Sequence, residues 1–181
     1  MSFQTVLVAN RGEIALRVIE ACRELRIRSI AVYSEADEPM PYLKLADGAV
    51  CIGPAEAARS YLNAAAIISV AELVEADAIH PGYGFLAENP GFVEICNEHG
   101  IRFIGPSLTA MRIVGDKVTT RECVAAAGVP VLPGGLAPRK PEDATAMAEA
   151  IGYPILIKSV YGGGGRGLRW VETPGELVAA L

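Results

Sequence analysis

The 181-residue chain has little of what most specialised sites require. It holds two histidines and four cysteines, and Cys22, Cys51, Cys96 and Cys123 are far apart with no CxxC pair. A zinc site of the usual spacing is therefore excluded, and the cysteines read as separate buried thiols in a reducing compartment. No apolar run approaches the ~18 residues of a membrane span. The N-terminal MSFQTVLVAN lacks the charged, apolar and small-residue order of a secretion signal. These absences point to a cytoplasmic protein. Positive charge is also in short supply, with 16 Lys and Arg against 21 Asp and Glu and a net charge of −5. A nucleic-acid surface needs clustered cations and is not expected. GxGxxG is missing, and so is GxxxxGK[ST], which excludes the simplest dinucleotide and P-loop fingerprints.

What is present is a regular alternation. Short apolar runs at 5–9, 28–33, 49–52, 76–80 and 101–104 read as strands. Helical stripes at 13–26, 63–75 and 90–99 fall between them. Strand and helix at this pace predict an α/β fold, a parallel Rossmann-like sheet with helices on both faces. In such sheets ligands meet the loops at the carboxyl ends of strands. Those loops are Asn10-Arg11-Gly12-Glu13 and His80-Pro81-Gly82-Tyr83-Gly84-Phe85. The first reads as structural, with Asn10 capping the first helix and the charges locking neighbouring loops. His80 reads as a hydrogen-bonded structural histidine, since no carboxylate or serine partner stands beside it. Arg17, Glu20 and Glu24 share one helix face, which reads as solvated.

After Gly105-Pro106-Ser107 the texture changes, and a domain boundary is placed between 113 and 114. Ser107 and Asp116 open helices running to about 114 and 127. Further on come a helix at 141–150, a strand at 154–159, a glycine loop, a strand at 168–172 and a last helix from Thr173-Pro174. The middle strand, Ile155-Leu156-Ile157, is continuously apolar and reads as covered on both faces. Lys158 ends it, a costly place for a charge that meets neither water nor an anion. Gly162, Gly163, Gly164 and Gly165 then offer unencumbered N–H groups that can fold over phosphates, and Arg166 adds a guanidinium. A plain hairpin turn with a solvated lysine has the same pattern. Lys117 at a helix start is by itself an ordinary surface lysine; with Lys158 and the glycine loop it tilts the reading towards a nucleotide.

Several stretches together carry a resemblance: VLVANRGEIALRVIEACREL, HPGYGFLAEN, FIGPS, GDKVTTRECVAAAGVPVLPG and IGYPILIKSVYGGGGRGLRWV. In sequence and order they resemble the biotin carboxylase family, the ATP-grasp enzymes of acyl-CoA and pyruvate carboxylases. The resemblance implies a pre-ATP-grasp N-terminal domain over 1–113 and the beginning of an ATP-grasp domain over 114–181. It implies a ligase that uses ATP, with Mg2+ or Mn2+, to activate bicarbonate and to carboxylate biotin on a carrier protein. It implies a biotin carboxyl carrier, a carboxyltransferase and a homodimeric enzyme as partners.

Carried over residue by residue, Lys117 and Lys158 match the family's two ATP lysines. Gly162 to Gly165 match its lid glycines, and Arg166 completes the pattern. The family's catalytic and metal-binding residues lie further along and have no counterpart here, so this piece is expected to be inactive alone. Tyr161 departs from a small family residue, Leu168 from a Met, Tyr42 from a His, Gly48 from a Glu and Ala87 from a Ser. Two other readings stay open, another ATP-grasp ligase and a non-catalytic binding or dimerisation module.

Overall fold

The computed structural model describes residues 3–138, 140–158 and 167–181. The chain divides into two compact units, Met1–Arg112 and Ile113–Leu181. In the first, β1 (Thr5–Val8), α1 (Gly12–Glu24), β2 (Arg28–Tyr33), β3 (Gly48–Cys51), α2 (Ala64–Leu73), β4 (Ala78–His80), α3 (Pro90–Glu98) and β5 (Arg102–Phe103) follow one another. The strands form one sheet in the order β3-β2-β1-β4-β5, and every pairing is parallel. The expected α/β fold is observed, although β4 and β5 are shorter than the apolar pattern suggests.

Side-chain alternation explains why helices cover both faces. Val6 and Val8 point into a core with Ala15, Val18, Ile19 and Cys22 of α1. Leu7, Ile30, Val32 and Ile79 point the other way, onto Ile67, Ile68 and Ala71 of α2 and Phe92, Val93 and Cys96 of α3. Burying a branched side chain contributes about 1.5–3 kcal/mol, so these layers dominate the unit's stability. Polar side chains fix the strand entries. Asp77 accepts from the N–H groups of Gln4 and Thr5 at 2.6 and 2.8 Å, which sets β1 beside β4.

Four helices stop in the same way. The N–H of Ile27, Ala76, Ile101 and Val129 reaches back five residues to the carbonyl of Cys22, Ala71, Cys96 and Val124. The residue before each donor is left-handed: Arg26, Glu75, Gly100 and Gly128. That is the Schellman closure. Gly100 and Gly128 stand just after the expected helix ends at 99 and about 127; at Arg26 and Glu75 no such residue marks the turn, and the expected α1 and α2 overran by two residues.

The thiols divide: Cys22 and Cys96 are buried, whereas Cys51 and Cys123 are exposed. The expectation of four buried thiols is corrected. Cys51 sits on the outward side of edge strand β3, and Cys123 on a helix with no buried residue.

α4 (Leu108–Gly115) links the two units' sequence; α5 (Lys117–Ala126), α6 (Pro141–Ile151), β6 (Ile155–Lys158), β7 (Leu168–Val171) and α7 (Pro174–Ala180) complete the second. Ser107 accepts from the N–H of Ala110 at 3.2 Å, and Asp116 from that of Thr119 at 2.7 Å, so both expected caps are in place. β6 and β7 form an antiparallel hairpin. Ile155, Ile157 and Val171 pack with Ala148 of α6 and Leu177 of α7. Arg169 donates to the carbonyls of Ala179 and Ala180, a cation on the C-terminal end of α7. No described helix is long and apolar enough to cross a membrane.

Candidate functional site

In unit 1 the strand order reverses between β1 and β4, and the loops after these strands meet there. Asn10 joins them. Its Nδ2 donates to the carbonyls of Pro81 at 2.7 Å and Tyr83 at 2.8 Å, and its Oδ1 accepts from the Arg11 N–H at 2.9 Å. Asn10 does not cap α1. The N-cap position is Arg11, which makes no side-chain cap, because the Asn10 amide is already spent on the second loop. Gly82 completes the fit: a Cβ there would stand 2.9 Å from Asn10 Nδ2, and its φ is +63°. The Gly82 N–H donates to His80 Nδ1 at 3.0 Å. Burial holds the His80 ring below its ordinary pKa, so it sits neutral. The structural reading of His80 is borne out. Above the junction, the Tyr83 hydroxyl donates to the Glu13 carboxylate.

Beside the switch point lies a buried polar knot that sequence reasoning half found. Arg11 reaches Asp37 at 3.2 Å, the expected lock between loops. The same Asp37 oxygen accepts from Ser34 Oγ at 2.8 Å and from the Tyr61 hydroxyl at 2.7 Å. That hydroxyl in turn accepts the Ser34 N–H at 3.0 Å. Burial would raise the Asp37 carboxyl, but the Tyr61 and Ser34 hydroxyls and the Arg11 guanidinium bring it below its ordinary value. Burial, reinforced by the bond to Asp37, pushes the Tyr61 hydroxyl far up. The Arg11 guanidinium lies 5.8 Å from the Tyr61 ring centroid, and Phe85 stacks on that ring at 4.9 Å. Phe85 has φ +42°, a rare conformation for a bulky residue. Ser34, Asp37 and Tyr61 were missed, since the Ser34–Asp37 turn and Tyr61 lie 24 residues apart in sequence, and Phe85 was named only as part of its loop.

Unit 2 carries a cavity of about 830 Å3, within the range of small-molecule sites. Lys117, from the first turn of α5, and Lys158, from the end of β6, both line it, with Leu132, Leu136, Leu156 and Trp170. The hairpin explains this arrangement. Across it Ile155 pairs with Val171, Leu156 with Trp170, Ile157 with Arg169 and Lys158 with Leu168. Alternation puts Leu156, Lys158, Leu168 and Trp170 on the side away from Val171, and all four are exposed. The expectation that this strand is covered on both faces is therefore corrected. Only the α6–α7 side is covered among the described residues. Gly162, Gly163, Gly164, Gly165 and Arg166, with Tyr161, lie outside the described residues. Among the described residues no three His, Cys, Asp or Glu side chains gather as a metal cluster would.

A doubly wound parallel sheet followed by a hairpin unit with a lysine-edged apolar cavity defines a ligand-binding α/β protein of two parts. Residues 2–111 match the family described as "Biotin carboxylase, N-terminal domain", and residues 116–181 match "Carbamoyl-phosphate synthase L chain, ATP binding domain". The chain belongs to the biotin carboxylase family. It is 51% identical over 177 residues to a biotin carboxylase of Pseudomonas aeruginosa, covering 97% of this chain and 39% of that protein. A biotin carboxylase of a Nostoc species is 52% identical over 180 residues, with 98% and 40% covered. Among solved structures, a biotin carboxylase complex with βγ-ATP from Campylobacter jejuni superposes with a TM-score of 0.93 at 50% identity, covering 99% of this chain and 40% of that one. A Hydrogenobacter thermophilus 2-oxoglutarate carboxylase biotin carboxylase domain dimer, with MgADP, ADP and bicarbonate, gives 0.90 at 47% identity, with 99% and 40% covered. The chain thus spans about 40% of the length of these relatives. Unit 2 is the start of an ATP-grasp fold.

Proposed function

We propose that this chain is the N-terminal part of an ATP- and bicarbonate-dependent biotin carboxylase, and that Lys117 and Lys158 hold the nucleotide's phosphates. The single observation that carries this is the cavity of unit 2. Two lysines 41 positions apart in sequence line one apolar hollow, and the glycine stretch begins four residues after Lys158. An ammonium at each of two points around one hollow suits a polyphosphate, whose oxygens accept from either. Gly162 to Gly165 are proposed as the covering lid and Arg166 as a further phosphate donor. We divide the chain into 1–113, the pre-ATP-grasp domain, and 114–181, the beginning of the ATP-grasp domain.

In the reaction so proposed, a bicarbonate oxygen attacks the γ-phosphorus of ATP and ADP leaves. The resulting carboxyphosphate passes its carboxyl group to N1 of biotin on a carrier protein, and phosphate is released. The two lysines bind and orient the phosphates and oppose the charge that develops on their oxygens. Mg2+ or Mn2+ supplies further neutralisation of phosphate oxygens when bound. Its ligands are proposed to lie outside this piece, which spans about 40% of its relatives' length and is expected to be inactive alone. The unit 1 loops bring Tyr83 and Glu13 to the carboxyl end of the sheet, where ligands of open α/β folds lie. A biotin carboxyl carrier and a carboxyltransferase are the expected partners, a homodimer the expected assembly and the cytoplasm the expected site.

The decisive test is Lys158→Ala in the intact polypeptide that contains this chain. The Michaelis constant for ATP should rise at least about tenfold, the loss of one charge-assisted contact of ~1.5–3 kcal/mol. An unchanged constant removes the phosphate role. The ATP-binding match over 116–181 also suits another ATP-grasp ligase; biotin-dependent ADP release separates the two.

A further inference from the structure

In unit 2 one aromatic ring stands in the open on the sheet face that carries Lys158. Trp170 is the chain's only tryptophan, and it is 61% exposed. Its neighbour Val171 is fully buried on the helix-covered side, so the hairpin's own core does not need the indole. Leaving so large an apolar ring in water forgoes considerable burial. A valine or threonine would keep the strand at less exposure.

The ladder fixes what the ring stands next to. Trp170 is directly opposite Leu156, and the next pair on the same face is Lys158 with Leu168. Same-face neighbours along a strand are about 7 Å apart. The cavity therefore has a graded wall, cationic at the Lys158 step and flat and apolar at the Leu156–Trp170 step. Lys117 and Lys158 line it with Trp170, Leu132 and Leu136. A nucleotide has the same grading, an anionic tail a few ångströms from a flat heterocycle.

We propose that Trp170 is the base-stacking residue of this site, and that it supplies much of the affinity for the nucleotide's base. The bicyclic indole offers a bicyclic base a face of its own size, with Leu156 as the adjoining floor. The lysine end takes the phosphates, so this inference rests on the phosphate reading given above. An aliphatic side chain at this position would give only methyl contacts to the base. The competing occupant of the exposed ring is downstream polypeptide packed over it, and the test separates the two.

The test measures the affinities of ATP and of inorganic tripolyphosphate, which shares the anionic tail and lacks the base. The protein is the intact polypeptide containing this chain, as wild type and as Trp170→Val, Trp170→Phe and Lys158→Ala. Base–aromatic stacking predicts that Trp170→Val weakens ATP at least about fivefold. It should leave tripolyphosphate unchanged, and Trp170→Phe should recover most of the loss. The Michaelis constant for ATP should follow affinity while kcat holds. If Trp170→Val leaves ATP affinity intact while Lys158→Ala weakens both ligands, the stacking role is wrong and the phosphate reading stands. If Trp170→Val weakens both ligands alike, the ring is a packing element under other polypeptide, and the inference is overturned. If Lys158→Ala weakens neither ligand, the phosphate reading fails and the inference with it.

Discussion

Removing one oxygen, in Tyr61→Phe, tests whether the buried knot of unit 1 is a stabilising device or a polar leftover. The ring and its stack on Phe85 stay, so no cavity opens. Two bonds go: the 2.7 Å donation to Asp37 and the 3.0 Å acceptance from the Ser34 N–H. A hydrogen bond to a charged group contributes about 1.5–3 kcal/mol, and a buried N–H left unpaired costs about 1–3 kcal/mol. Ser34 is fully buried, so water has no easy route to replace the lost acceptor. Asp37 keeps Ser34 Oγ and Arg11, which moderates the sum to about 3 kcal/mol. For a unit of this size that is a fall in melting temperature of about 10 °C. Thermal unfolding followed by circular dichroism at pH 7 reads it directly. Tyr83→Phe is the matched control, because its hydroxyl meets Glu13 at the exposed surface and its loss should lower the melting temperature far less. Acid sharpens the test. The folded Asp37 carboxyl lies below its unfolded value, so its contribution is complete above about pH 4 and fades as pH falls through the folded value. Tyr61→Phe raises that folded value, and the gap between wild type and variant should therefore narrow below about pH 4. A Tyr61→Phe loss no larger than that of Tyr83→Phe would refute the reasoning.

Two glycines should answer differently to alanine. At Gly53, φ is +136° and a Cβ would lie 2.4 Å from the Arg59 carbonyl oxygen, so Gly53→Ala should cost about 3 kcal/mol or more; at Gly100, with φ +69° and nothing within 4 Å, the cost should be about 1 kcal/mol. Chemical denaturation of the two variants reads the difference. The His80 ring should titrate below 6.5 by NMR, because burial disfavours its charged form. A folded value below the unfolded one means this contribution to stability is complete above about pH 6.5 and is lost as pH falls through the folded value. His80→Gln should flatten that part of the stability profile.

The alternating sheet was legible because the central strands β1, β2 and β4 bury continuous apolar runs, and the helices carry one clear stripe. Asp116 and Ser107 were legible as helix starts because their side chains state the geometry. Arg26 and Glu75 did not announce their left-handed backbone, since tertiary closure and not local preference imposes it. The knot was partly legible: Arg11 was read as a lock, but its partner Asp37 and the supporting Tyr61 arrive from turns 24 residues apart, and no local pattern pairs them. Asn10 was assigned the commonest job for its type, the helix cap, and instead spans two loops, an arrangement only the neighbouring strand can create. The apolar run before Lys158 misled in the opposite sense. In a two-stranded hairpin with helices on one side, apolar residues on the other side line a hollow and are not core.

The sheet of unit 1 has a temporal consequence. Its last strand ends at Phe103, and every strand and helix that seals its two faces lies before that point or within a few residues of it. On the ribosome, chain synthesised at ~5–20 residues per second completes this layer several seconds before the hairpin with Lys158 emerges. The apolar strands of unit 1 are thus already paired and out of reach when the exposed Leu156 and Trp170 appear. Ordering the gene product this way limits the time in which two sticky surfaces coexist on one nascent chain.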